Sequence, residues 1–381
     1  MILPIHPRPQ NSELLSSWIT RLAIENGFYS HSFFKSIIGL KEDIVRTDVD
    51  RSNSTELIGK LSQVSGISAD ELSKLCMSSL QGEVFSHDSL GTCVRWVLPL
   101  GFYHRIKRRR GIVYCPLCLK EDEVRHFRKS WRLAFMNLCE KHGCVLWDHC
   151  YHCKANVDYQ RVGIGSKSYD TPNKDLGLCF NCHKPLWDAP TKRLSLDLER
   201  FSAPYRDFIS VYESGGSILP ALNQPLNLQV FNGLWTLAGR VASVRAVEVR
   251  ARILRETGIE ISPLKPNNSF EGFPLQQRLN IFIVVLYYLQ SWPHKFINLV
   301  KNTHFTVSAF GNDIEQLPFW LSSVIFEHMN STPYATTERE VINAMKYLQA
   351  VNPDFKKVEL AKLLGIDICT LNRRLKGMSR R

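Results

Sequence analysis

Most apolar positions of this chain recur at helical spacing. Leu14, Leu15, Trp18, Ile19 and Leu22 line one face of a helix over residues 13–23. Asn11 or Ser12 stands where a cap is needed, and Gly27 where the helix should end. A short second helix is expected over His31–Ile38, stopped by Gly39. A third runs from Thr55 to Val64. After the turn Ser65-Gly66-Ile67, Ser68 and Glu71 supply a capping box for a helix through Cys76. Helix, glycine turn, capped helix is the helix-turn-helix order, which serves DNA recognition and plain helical packing alike. From Leu194 to Ser331 the pattern is again helical, with breaks at Pro204, Gly215-Gly216, Pro225, Pro263–Pro266 and Pro293. Ile281–Leu289 is apolar on all sides and reads as the buried centre of that region. It is far shorter than the roughly 20 residues that span a bilayer.

The tail from Thr336 predicts another small helical unit. Leu360, Ala361, Leu364, Ile366, Leu371 and Leu375 give its core, Gly365 its left-handed turn, and Asp367 a cap. Its last helix offers Thr370, Asn372, Arg373, Arg374 and Lys376, residue types suited to base edges and phosphates. The segment resembles the DNA-binding helices of Fis-like and AraC-like proteins.

Between residues 115 and 186 a different regularity takes over. Cys115/Cys118, Cys139/His142, Cys150/Cys153 and Cys179/Cys182 are four pairs with the same internal spacing. Two donors three positions apart on a tight turn can grip one ion, and two such pairs close a tetrahedron. The pairs lie 20 and 25 residues apart, which suits two zinc ribbons. The reading is two structural Zn²⁺ ions. Sequential pairing and a cross-braced arrangement both satisfy the spacing. Cys144, His149, His152 and His183 lie close enough to compete as ligands. Cys76, Cys93 and Cys369 stand among apolar residues and read as small core residues.

Charge adds a partner. The 381 residues carry a formal net charge of +12, which favours a polyanion such as nucleic acid. From Arg95 to Arg132 there are 11 Lys/Arg against 3 acidic residues, a net of +8. Arg105, Lys107, Arg108, Arg109 and Arg110 form the densest run and are the candidate phosphate strip. Asp43, Asp48 and Asp50 read as surface carboxylates. No paired His/Asp metal motif, nucleophile motif or glycine-rich phosphate loop stands out, so no enzyme is expected. The start Met1–Pro9 lacks the basic and apolar runs of a signal peptide, and together with the thiol-rich pairs this predicts a cytoplasmic protein.

These parts together resemble the TniQ/TnsD family. The resemblance rests on Leu3-Pro4, Arg8-Pro9, Glu13–Ala23 and Asn26-Gly27. It continues through Tyr114-Cys115-Pro116-Leu117-Cys118-Leu119, Trp131–Phe135, Cys139-Glu140-Lys141-His142-Gly143 and the Cys150/Cys153 pair. Ser291-Trp292-Pro293 with Phe296 is a weaker similarity. It covers residues 3–190 and implies a target-site selector for transposons. Members of the TnsD type bind a chromosomal site. Members of the TniQ type act as adaptors, some on a Cascade CRISPR effector, and both pass the target to an AAA+ ATPase that recruits the transposase. The absence of a long C-terminal extension favours the TniQ type. The resemblance also suggests a homodimer. The alternative is a direct sequence-specific DNA binder, either TnsD-like or a transcription regulator.

The expected fold is mainly α, with helix-turn-helix-like units at both ends flanking a two-zinc ribbon module. The expected segments are 1–90 (helical), 91–114 (basic linker), 115–190 (double ribbon), 191–335 (helical) and 336–381 (helix-turn-helix-like).

Overall fold

The first helix, α1 (Leu15–Glu25), starts from Leu14, later than the apolar pattern predicts, and no side chain caps it. Ser12 instead turns at φ +56°, and its carbonyl accepts Lys129 N at 2.7 Å. A distant segment therefore fixes the entry to the helix. The helix is buried on every side from Leu15 to Ile24, not on one face. Its polar side is covered because each group has a partner. Glu13 is fully buried and accepts from Arg21 at 2.6 and 2.9 Å and from Ser17 at 2.8 Å.

In the computed structural model the described residues are 2–39, 47–51, 54–86, 94–103, 106–161, 175–216, 218–264, 269–303, 305–310, 316–329, 336–366 and 368–378. The chain is mainly helical and divides into two compact units, residues 1–304 and 305–381.

In the first unit, α2 (Ser30–Phe33) runs into a π turn, Phe34–Ile38, ended by Gly39 at φ +68°. Helix α3 (Thr55–Ser65) ends at Gly66, φ +71°, and α4 (Ala69–Ser73) follows with Ser68 Oγ accepting Glu71 N at 3.2 Å. Helix α4 stops short of Cys76, which still joins Trp18, Leu22, Leu61 and Leu72 in one core. A two-residue hairpin pairs β1 (Phe102–Tyr103) with β2 (Ile106–Lys107), Tyr103 opposite Ile106. Helix α5 (Pro116–Glu121) opens the Cys/His segment.

Beyond that segment come α6 (Leu196–Phe201) and α7 (Ala203–Glu213), with Pro204 in the first turn of α7, where its missing N–H is harmless. The antiparallel pair β3 (Ile218–Leu219) and β4 (Gln224–Pro225) follows. Then come α8 (Leu228–Val241), α9 (Val247–Thr257), α10 (Leu275–Leu289) and α11 (His294–Val300). Helix α10 is the centre that its apolar run predicts, with Ile281, Phe282, Ile283 and Val284 all at 0% exposure. Phe282 packs edge-on to Trp96 at 5.3 Å, Phe208 at 5.4 Å and Tyr205 at 5.8 Å, and stacks with Phe135 at 6.2 Å. Each such ring removes about 150–250 Å² from water. The segment around Trp96 and Phe135 is thereby part of the same core as α7, α8 and α10.

The second unit holds α12 (Phe319–His328), α13 (Glu338–Val351), α14 (Lys357–Leu363) and α15 (Ile368–Met378). A reciprocal capping box of Thr337 and Glu340 starts α13. Val341, Leu360, Ala361, Ile366 and Leu371 form the small core, and Gly365 turns the chain at φ +65°. Cys369 is exposed and not in that core, which corrects the expectation from its apolar neighbours. Asp43, Cys93 and Asp367 lie outside the described residues. Among the described residues, no helix is long and apolar enough to cross a membrane.

Candidate metal centres and the buried charges around them

The four donor pairs are built in two ways. Cys115 sits at the start of α5, and its Sγ accepts Cys118 N at 3.5 Å, so a helical turn presents the first pair. The other three share one loop. The first donor's N–H bonds a carbonyl five residues on, as Cys139 N to Cys144 O at 2.8 Å, Cys150 N to Ala155 O at 2.9 Å, and Cys179 N to Lys184 O at 3.0 Å. The residue after the second donor then turns left-handed, with φ of +60° at Gly143, +63° at Lys154 and +56° at His183. Leu138↔Val145, His149↔Asn156 and Leu178↔Pro185 close the three loops as antiparallel bridges. Lys154 and His183 hold that backbone without glycine, at about 1–2 kcal/mol each. Closure of a metal sphere would supply an offset.

The structure brings the pairs together in sequence order. Cys115, Cys118, Cys139 and His142 form one cluster, and Cys150, Cys153, Cys179 and Cys182 the other, with donor atoms in each within 4.8 Å of one another. The cross-braced arrangement is not the one adopted. His142 Nδ1 lies 3.4 Å from the sulfurs of Cys115, Cys118 and Cys139. In the second cluster Cys150–Cys182 is 3.7 Å and Cys153–Cys179 is 3.6 Å. Tetrahedral zinc with Zn–S near 2.3 Å requires sulfurs about 3.8 Å apart. Both donor sets therefore fit a soft, four-coordinate ion such as zinc. His142 Nε2 meets Glu121 Oε2 at 3.0 Å, and the same oxygen takes Lys141 Nζ at 2.7 Å. This fixes Nδ1 as the atom free to bind metal. No spacing in the sequence marks Glu121 for this contact, because its role depends on where α5 lays it.

The four competing residues divide. Cys144 Sγ comes to 3.6 Å from Cys115 Sγ, beside the first cluster. His149 Nδ1 bonds Asp148 at 2.5 Å, His152 Nε2 faces Asp188 at 3.6 Å, and His183 is exposed.

The basic strip folds differently from its expectation. Lys107 is buried, not a phosphate contact, with its Nζ 2.8 Å from Asp158 and 2.8 Å from Gln160 Oε1. Arg110 reaches Asp148 at 3.4 Å. Arg125 pairs with Asp175 at 2.7 Å, and Arg128 with Asp122 at 2.8 Å. Most of these carboxylates lie far away in sequence, so the net charge of a window overstates its surface charge. Arg108, Arg109 and Arg110 are exposed, and Arg105 lies outside the described residues. On α15, Thr370 and Asn372 are half-buried and Lys376 is exposed, while the side chains of Arg373 and Arg374 lie outside the description.

Asp48 and Asp50 are not surface carboxylates. Arg132, at 0% exposure, bonds Asp48 at 2.7 and 3.1 Å, Asp50 at 3.1 Å and Leu98 O at 3.0 Å. Asp50 also takes Ser16 N and Oγ, each at 2.8 Å. Burial pushes both carboxyls upward, but the Arg132 charge and hydrogen bonds outweigh it at Asp48 and hold that group below the usual range. Asp50 stays raised, by burial even against Arg132 and by the neighbouring Asp48. This cluster joins α1 to the Cys/His segment. The sequence showed the residues but not that they meet.

The chain is thus a mainly helical protein with two Cys/His clusters that could each hold a metal ion. Residues 4–146 match the family model TniQ, which makes that segment similar to TniQ proteins. No curated protein matches the chain. The matched segment holds α1, Arg132 and the first cluster, but ends before Cys150. It is thus shorter than the 3–190 span of the resemblance. A TniQ match implies an association with transposition.

Proposed function

We propose that the protein is a non-catalytic target-site selection adaptor of a transposon, with two zinc ions as architecture. It links target DNA, or a DNA-bound guide complex such as a Cascade CRISPR effector, to an AAA+ ATPase and the transposase. It acts in the cytoplasm as a homodimer. The family match over residues 4–146 carries this reading. Two further features support it. Each cluster supplies four protein donors, which leaves no coordination position for water or substrate. The inward pairing of Lys107, Arg125, Arg128 and Arg132 also leaves less basic surface for an autonomous DNA reader than the sequence implied.

The test is reconstitution with an AAA+ ATPase and a guide complex from a transposon of this kind. The adaptor reading expects the ATPase to reach target DNA only when this chain is present. Efficient recruitment without the chain would refute it.

A second reading, the direct DNA binder, draws on the C-terminal unit, where Gly365 turns α14 into α15 around a small core. Changing Arg373 and Arg374 to Ala separates the two. Selective loss of one tight DNA site, at roughly 1–3 kcal/mol per bidentate contact, would favour the direct reader. Unchanged DNA binding with failed partner recruitment would favour the adaptor.

A further inference from the structure

A cavity of about 420 Å³ in the first unit is lined by Arg109, Arg110 and Arg278, with Asp148, Glu271 and Phe273. Arg278 is 2% exposed, and its partners are neutral carbonyls, Ala134 O at 3.2 Å and Phe273 O at 2.7 Å. Its Nη2 has no partner among the described residues. A buried guanidinium donor left unsatisfied is costly, and in a native site it points to a missing water or ion. Burial holds the Arg278 pKa down at about 10 against the opposing pull of Asp148 and Glu271.

The two acids of the cavity are already engaged. Glu271 Oε1 accepts Trp96 N at 2.7 Å and Trp235 Nε1 at 2.8 Å. Asp148 Oδ1 accepts from His149 and Arg110. Among the described residues, three guanidiniums against two carboxylates leave the cavity one negative charge short. Arg109 is held at the rim because Gly101, at φ +60°, has no Cβ. An added one would stand 2.8 Å from Arg109 Cγ.

Guanidinium forks match the geometry of phosphate oxygens. The volume falls in the range of about 300–1,000 Å³ typical of small-molecule sites, more than a bare ion needs. Phe273 supplies an apolar wall. We propose that this cavity binds a phosphate-ester group, carried by a free nucleotide or by the end of a nucleic-acid strand.

Calorimetry on the full metal-loaded chain tests it, with inorganic phosphate, adenosine monophosphate, and a short single strand with and without a 5′-phosphate. At least one phosphate-bearing probe should bind, and Arg109→Ala and Arg110→Ala should each weaken it roughly tenfold or more. Arg278→Met should abolish it. If that variant does not fold, the two rim variants carry the test. Binding of the mononucleotide alone assigns a small-molecule source, and a preference for the phosphorylated strand assigns a strand end. No binding of any probe at millimolar concentration, or binding undiminished in both rim variants, overturns the proposal. Neither duplex DNA nor a protein partner enters this measurement, so its outcome is separate from that of the adaptor reading.

Discussion

Sequential pairing of the ligands makes a sharp prediction for single-ligand variants. If each cluster holds one zinc ion, the wild-type chain binds two, sharing seven sulfurs and one nitrogen. X-ray absorption should then report a mean shell of about 3.5 sulfurs at about 2.3 Å and half a nitrogen at about 2.0–2.1 Å. Cys179→Ser breaks only the second cluster. The zinc content should fall to about one per chain, and the remaining shell should read about three sulfurs and one nitrogen. Cys118→Ser breaks the first cluster, and the ion left behind should show about four sulfurs and no nitrogen. The two variants thus shift the mean shell in opposite directions. The sulfur–sulfur distances of 3.6–3.7 Å in the second cluster imply a metal–sulfur distance of about 2.2–2.3 Å for a regular tetrahedron, within the zinc–thiolate range. Loss of both ions from either variant, in protein that stays folded, would mean that the clusters share ligands and would refute the pairing. A wild-type zinc content of zero or one would refute the two-ion reading altogether.

Three further outcomes follow from the buried charges and the strip. Arg132→Met removes the cation that bonds both Asp48 and Asp50, and should cost about 3–5 kcal/mol in urea unfolding, the usual loss when a buried pair is broken. A loss below about 1 kcal/mol would show that the pair is not holding α1 to the Cys/His segment. Lys107→Ala should destabilise by a similar amount because it strands Asp158, whereas Arg108→Ala with Arg109→Ala should leave the melting temperature nearly unchanged. In duplex DNA titrations, log affinity should fall against log salt with a slope of about −0.9 per phosphate contacted, and the Arg108/Arg109 double variant should flatten it. An unchanged slope would remove these arginines from the DNA interface.

The sequence alone determined what local constraint decides. Donors three residues apart can meet only through a tight turn, so the four pairs were legible before any fold. The apolar run of α10 had to be buried, because leaving Ile281–Val284 in water would forfeit the main driving force for folding. Gly39, Gly66 and Gly365 marked turns for the same local reason, and all three have positive φ. Only the tertiary structure decided which groups meet across long separations. It chose sequential over cross-braced pairing and placed Cys144 beside Cys115. It turned Lys107 inward to Asp158, 51 residues away in the chain, and it set Arg132 between two aspartates taken from the sequence for surface groups. Coulomb energy depends on distance in space and on the water excluded between charges, and neither is a property of a sequence window. The spacing of donors therefore survived folding as a prediction, while the charge of the basic strip did not.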